Sequence, residues 1–149
     1  MTDHLVDTAM SPVELLTVAQ RLAAGGLAAA LAEDGTAIEQ WRVLRALEDG
    51  DGHLMGELAG TLLIAQPTLT RLVDGLVDAA LVYRQRSVVD RRRVAVHLSR
   101  QGRVRLARLD AIVAAHQRAL RSSPEWARVQ ESLRGLLDDS SAAEHRRPG

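Results

Sequence analysis

The stretch Gln66-Pro67-Thr68-Leu69-Thr70-Arg71-Leu72-Val73-Asp74 decides the architecture. Pro67 suits the first turn of a helix, where its missing N–H removes no hydrogen bond. Leu69, Leu72, Val73 and Leu76 fall on one stripe at helical spacing, which predicts a helix from Gln66 to about Ala80. At about 100° per residue, Pro67, Arg71, Asp74 and Asp78 lie on the opposite face, with Thr68 and Thr70 beside them. Ahead of this helix, Leu58, Ala59 and Leu62 predict a shorter one over about Met55 to Leu62. Only about three residues are left between the two, the length of the turn in a helix-turn-helix unit.

Working outward, Leu81-Val82-Tyr83-Arg84-Gln85-Arg86 and Val94-Ala95-Val96-His97-Leu98 have strand character. The segment Ser87-Val88-Val89-Asp90-Arg91-Arg92-Arg93 joins them, so the pair reads as a β-hairpin with a basic tip. Ser99-Arg100-Gln101-Gly102 then opens a long helix in which Leu106, Leu109, Val113, His116 and Leu120 form a heptad-like seam. Ser122-Ser123-Pro124 breaks that helix. Trp126, Val129, Leu133 and Leu136 repeat the seam spacing in a last one.

Toward the N-terminus, Ser11-Pro12-Val13-Glu14 is a helix start, with Ser11 and Glu14 in capping-box positions. Leu15, Leu16, Ala19, Leu22, Ala23, Leu27, Ala30 and Leu31 follow at helical spacing, and Gly25-Gly26 predicts a kink or a close helix contact. Thr36-Ala37-Ile38-Glu39 reads as a second capping box, opening a helix through Trp41, Leu44 and Leu47 that stops at Asp49-Gly50-Asp51-Gly52. From Asp138 the chain turns small and polar, and residues 138–149 are expected to be disordered.

Composition narrows the function classes. The chain has 149 residues, 46% of them hydrophobic and 26% charged, which fits one folded domain with a real core, or one domain plus helical extensions. Its uninterrupted apolar runs are short, so no membrane span is expected, and the N-terminus has no basic, apolar leader pattern. These features point to the cytoplasm. With no cysteine, disulfides, thiolate metal sites and thiol switching are excluded. The formal net charge is zero, but its distribution is uneven. Residues 71–108 hold ten arginines against three aspartates, a local excess of seven that an equal acidic excess balances elsewhere. Such a block is an electrostatic footprint for a polyanion.

Glu57-Leu58-Ala59, Gln66 through Asp74, Leu81-Val82, Asp90-Arg91-Arg92 and Leu98-Ser99-Arg100-Gln101-Gly102 together resemble the MarR family of bacterial regulators. In that family an Asp-x-Arg wing and a Leu-Thr/Ser-x-x-Gly junction occur at this spacing. The resemblance implies a mostly α fold with a small β-hairpin wing: a winged helix-turn-helix at 36–98, and a helical dimerisation region from 11–35 and 99–137. It implies a homodimer on a pseudo-palindromic operator in double-stranded DNA, with the recognition helix in the major groove and the wing in the adjacent minor groove. It also implies repression released by a small, often aromatic acid. Three positions depart from the pattern: Ala65 stands where a capping Ser or Asp usually precedes the recognition helix, Leu63 where the turn often has Gly, and Leu54 where the third helix usually has a Thr or Ser cap.

The DNA-facing residues expected on this reading are Gln66, Thr68, Thr70, Arg71, Arg84, Arg86, Arg91, Arg92 and Arg93. Asp90 is the wing anchor, salt-bridged to a wing arginine, and Asp74 is expected to pair with Arg71 one helical turn away. The interface residues are Leu15, Leu22, Leu106, Leu109, Val113, Leu120, Trp126, Val129, Leu133 and Leu136. No glycine-rich phosphate loop, nucleophile elbow or paired carboxylates are present, so neither an enzyme nor a bound cofactor is expected. His53 and Glu57 are four apart but lack the second pair that a metal site requires. Trp41, Trp126 and His116 read as packing residues, and a winged helix used for protein–protein contact is the rival to DNA binding.

Overall fold

The computed structural model describes residues 10–86, 88, 90 and 92–144, with backbone alone for 139–144. The chain divides into two compact units, Met1–Val113 and Ala114–Gly149.

In the first unit, α1 (Pro12–Glu33) opens as its sequence dictates. The Ser11 N–H donates to Glu14 Oε2 at 2.7 Å, and the Glu14 N–H donates to Ser11 Oγ at 3.3 Å. Hydrogen bonds from the Ser11 side chain and backbone hold the Glu14 carboxyl below its ordinary range. Gly25-Gly26 does not interrupt α1, which stays helical throughout, and a Cβ at Gly25 would meet nothing within 4 Å. By length and composition alone α1 is apolar enough to cross a membrane, a property that core helices of soluble proteins share. Polar residues such as Gln20 and Arg21 break the runs, while the many Leu, Val and Ala residues keep the helix apolar on average.

The next helix, α2 (Ile38–Ala46), begins one residue later than the expected box. Ala37 is the cap residue, and its N–H donates to Gln40 Oε1 at 2.9 Å. Thr36 is buried instead, and its hydroxyl accepts from Arg105 Nη2 at 2.7 Å. Arg105 belongs to α5 (Arg100–Arg121) and also pairs through Nη1 with Asp34 Oδ2 at 2.8 Å. Arg108 holds the other oxygen of that nearly buried carboxylate. The corner between α1 and α2 is thus clamped onto α5 by charge-assisted bonds. A second tie runs from Trp41 Nε1 to Asp110 Oδ1 at 2.9 Å, which gives Trp41 a packing role.

After α2 come β1 (His53–Leu54), α3 (Met55–Leu62), α4 (Gln66–Asp78), β2 (Val82–Arg86) and β3 (Val94–Leu98). The sheet order is β1-β3-β2, antiparallel throughout. Val82 faces Leu98 and Arg86 faces Val94, so the hairpin is in simple register. The two-residue strand β1 carries no periodicity of its own and was not expected. The core gathers Leu31, Val43, Leu44, Leu58, Leu69, Val73, Val82, Val96 and Leu98 from α1 to α4, β2 and β3.

Leu106, Leu109 and Val113 join the same core and are at most 5% exposed. This corrects their assignment to a subunit interface. Heptad spacing states which faces pack, not which chain supplies the partner. In the second unit, α6 (Pro124–Glu144) continues past the expected end at 137. Residues 138–144 are therefore helical rather than disordered in backbone, and 145–149 lie outside the described residues. The α6 side chains Val129, Leu133 and Leu136 are exposed, as are Val13, Leu15, Leu16 and Leu22 on α1. Leu120 and Trp126 are half-buried.

At the junction of β3 with α5 the chain makes a close backbone approach. A Cβ at Gly102 would lie 2.0 Å from Leu81 O, a contact that only backbone movement can relieve. Gly102→Ala should therefore destabilise by about 3 kcal/mol, the upper part of the range for overpacking. By contrast, Gly60→Ala in α3, where nothing lies within 4 Å, should stabilise by about 0.5–1 kcal/mol. Urea denaturation at one fixed protein concentration checks both, and equal midpoints would contradict this account of the junction.

Candidate nucleic-acid interface

The presentation of α4 is fixed from behind. Leu69, Val73 and Leu76 are buried, and Leu72 and Val77 are half-buried against the same core. This leaves Gln66, Thr68, Thr70 and Arg71 exposed together with Asp74 and Asp78. The preceding turn is held by Arg42 on α2, whose Nη2 donates to Leu62 O at 2.8 Å. That bond satisfies one of the carbonyls that α3 leaves open at its end. The helix has no side-chain cap, since Ala65 occupies the cap position. Leu54 likewise caps α3 without a side-chain bond, but its N–H donates to Glu57 Oε2 at 3.0 Å. The Thr70 hydroxyl donates to Gln66 O at 2.9 Å, which leaves its oxygen able to accept from a ligand.

The C-terminal end of α4 is tied to the wing. Asp74 Oδ1 pairs with Arg84 Nη2 on β2 at 2.6 Å. The expected Asp74–Arg71 pair is absent, because the strand arginine reaches the carboxylate that the helix neighbour was assigned. Among the described residues no ion pair reaches Arg71, Arg86, Arg92 or Arg93. Arg84 was counted with the DNA-facing arginines, but here its charge is balanced at the base of the wing. A solvent-exposed pair of this kind contributes about 0–1 kcal/mol to stability. Its larger effect is to fix where β2 sits relative to α4.

The wing turn is organised by Asp90. Its Oδ1 accepts the Arg92 N–H at 3.0 Å, and its carbonyl accepts the Arg93 N–H at 2.9 Å. Asp90 thus anchors the loop through the backbone as an Asx turn. Arg92 and Arg93 are exposed; Arg91 lies outside the described residues. At the root of the wing, Tyr83 and His97 stack with ring centroids 5.3 Å apart. His53, weighed above with Glu57, instead bonds to Asp49 Oδ2 at 2.7 Å. This bond and the Asp51 N–H keep the Asp49 carboxyl below its ordinary range.

A tight turn, a helix held by its apolar face with polar groups outward, and a basic hairpin beside it define a winged helix-turn-helix DNA-binding regulator. The comparisons give the particular family. The MarR family sequence model matches residues 34–93. The MarR family transcriptional regulator SPO1453 from Silicibacter pomeroyi DSS-3 is similar at 30% identity over 89% of this chain and 97% of its own, with a TM-score of 0.76. The transcriptional repressor CouR, solved bound to a 23-mer DNA duplex, is 26% identical over 88% of this chain and 92% of its own, with a TM-score of 0.75. CouR from Rhodococcus jostii RHA1 bound to p-coumaroyl-CoA is 25% identical over 84% and 87%, with a TM-score of 0.72. No curated protein matches the chain by sequence. The chain belongs to the MarR family of transcriptional regulators.

The Asp74–Arg84 pair yields a prediction about charge. Asp74→Asn should free Arg84, strengthen binding to random-sequence duplex and steepen its salt dependence by about one unit of slope. The ratio of selected to random duplex affinity should fall. Fluorescence anisotropy across a salt series measures this, and an unchanged slope would show that Arg84 is not released.

Proposed function

We propose that this protein is a homodimeric repressor that binds a pseudo-palindromic operator in double-stranded DNA and releases it when a small effector binds. The observation that carries the DNA-binding part is the exposed polar edge of α4. Gln66, Thr68, Thr70 and Arg71 are side chains that reach base edges and phosphates, and no side chain of the described chain covers them. The wing supplies Arg86, Arg92 and Arg93 for phosphates or a narrow minor groove, with Arg91 and Asp90 in the same loop. Arg84 supports this surface from its base. The sequence carries none of the catalytic motifs weighed above, and we infer a regulator rather than an enzyme.

Dimerisation is supported by apolar side chains that one chain leaves uncovered. Val13 and Leu22 on α1 are 72% and 73% exposed. On α6, Val129, Leu133 and Leu136 remain exposed along one spacing. A second copy covering α1 and α6 would bury these side chains, and it also accounts for the apolar composition of α1 in a soluble cytoplasmic regulator. The interface residues on this reading are Leu15, Leu22, Leu120, Trp126, Val129, Leu133 and Leu136. A cavity of about 320 Å³ lined by Thr36, Gln40, Leu44, Leu76, Leu81 and Arg105 has the size of a small-molecule site. It touches the clamped corner, α4 and α5 together, as an effector site should. A small aromatic acid, or a thioester of one as in CouR, is the effector class proposed.

Selection from a random duplex library, followed by anisotropy with variants, tests the DNA reading. Arg71→Ala should cost about 1–3 kcal/mol on the selected duplex and relax preference at one or two base positions. Arg92→Ala should instead weaken all duplexes alike and flatten the salt dependence by about one unit of slope. A wild-type chain with no salt-dependent binding would point to the protein–protein alternative.

Leu133→Asp tests the dimer separately. Sedimentation should show monomers at micromolar concentration, and operator affinity should fall because one half-site offers half the contacts. A wild-type monomer that still binds the operator tightly would overturn the dimer.

A further inference from the structure

Leu63 carries two costs at once. Its backbone is left-handed, with φ 53° and ψ 44°, a region where a Cβ is strained and glycine is not. Its side chain is 90% exposed, so no burial offsets the strain. The turn needs the backbone shape: the Leu63 N–H donates to Gly60 O at 3.4 Å and the Ile64 N–H to Ala59 O at 3.1 Å, closing α3. Nothing in the fold needs the leucine. Strained residues concentrate where a ligand is met, because the function they serve maintains them.

The position of Leu63 identifies the ligand chemistry. Gln66, the first residue of α4, is three residues on, so the two Cα atoms lie within about 10 Å. Leu63 therefore stands beside the end of the helix that presents Gln66, Thr68 and Thr70. Of the two residues between them, Ile64 packs against the core and Ala65 is small and exposed, so no bulky side chain intervenes on the outer face. On the base edges of a major groove the apolar group is the C5-methyl of thymine.

We propose that Leu63 is a DNA-contact residue that packs on a thymine methyl at the edge of the major groove, adding a thymine preference to the polar reading by α4. This rests on the DNA-binding reading above. Its burial on the duplex supplies what the free protein lacks, a partner for an exposed leucine.

The test uses the full-length protein, a duplex selected from a random library, and the same duplex with single thymines replaced by uracil. Leu63→Gly should raise the urea midpoint because the strain is gone. Its affinity for the selected duplex should fall about tenfold, the scale of burying part of one leucine side chain, while random duplex is bound as before. Leu63→Met, which keeps an apolar reach, should retain most of the selectivity. Uracil at one thymine position should reproduce the loss in the wild type and change nothing in Leu63→Gly. A stabilised Leu63→Gly that binds the selected duplex as the wild type does would overturn the inference, as would uracil effects of equal size in both proteins. A wild type that binds no duplex would overturn the DNA-binding reading and this inference with it.

Discussion

The DNA-reading half of this molecule depends on one hydroxyl. Ser99 Oγ donates to Ala80 O at 2.7 Å and accepts from the Gly102 N–H at 2.8 Å, while the Ser99 N–H donates to Leu81 O at 3.0 Å. Ala80 follows the recognition helix, Leu81 leads into the wing, and Gly102 lies in the first turn of α5. One residue therefore joins the end of α4, the root of β2 and the start of α5. The close approach leaves no room for a Cβ at position 102, and Ala80 takes a left-handed φ of 57° to make the turn. The Leu-Ser-x-x-Gly string is the sequence record of this geometry.

From that junction the other constraints form a chain. Helix α5 carries Arg105 and Arg108 to the Asp34 carboxylate and so fixes the corner between α1 and α2. Helix α2 carries Arg42 to the last turn of α3, and so fixes the turn before α4. The Asp74–Arg84 pair closes the loop by tying α4 to β2. A movement of the α1–α2 corner would thus reach α4 through packed helices and charged bonds. The cavity beside Thr36 and Arg105 lies on that route.

Much of this was legible in the sequence, for physical reasons that can be named. The Ser11 capping box, the apolar stripe of α4 and the β2–β3 hairpin are local patterns, and each formed where its spacing placed it. Three other features depend on partners distant in sequence. Asp74 had a plausible partner at Arg71 by helical spacing, but β2 returns past α4 and brings Arg84 closer. Thr36 read as a cap, yet its hydroxyl serves Arg105, which is 69 residues away. Strand β1 exists because β3 offers it an edge; its two residues have no period to detect.

Charge shows where sequence counting ends and structure begins. Ten arginines in residues 71–108 read as one basic block. The structure divides them. Arg84 is balanced by Asp74, while Arg105 and Arg108 share the nearly buried Asp34 carboxylate, which lies outside that segment. These three hold the fold and add little to the field that a phosphate meets. Arg71, Arg86, Arg92 and Arg93, on α4 or the wing, have no ion pair among the described residues, and neither have Arg100 and Arg103 in the first turns of α5. Releasing counterions from DNA requires cations that reach the phosphates, which a local sum of charge does not count. A chain of zero net charge can therefore carry an uncompensated basic surface, because Asp34 and Asp74 take up three of these arginines and leave the charge of others facing solvent.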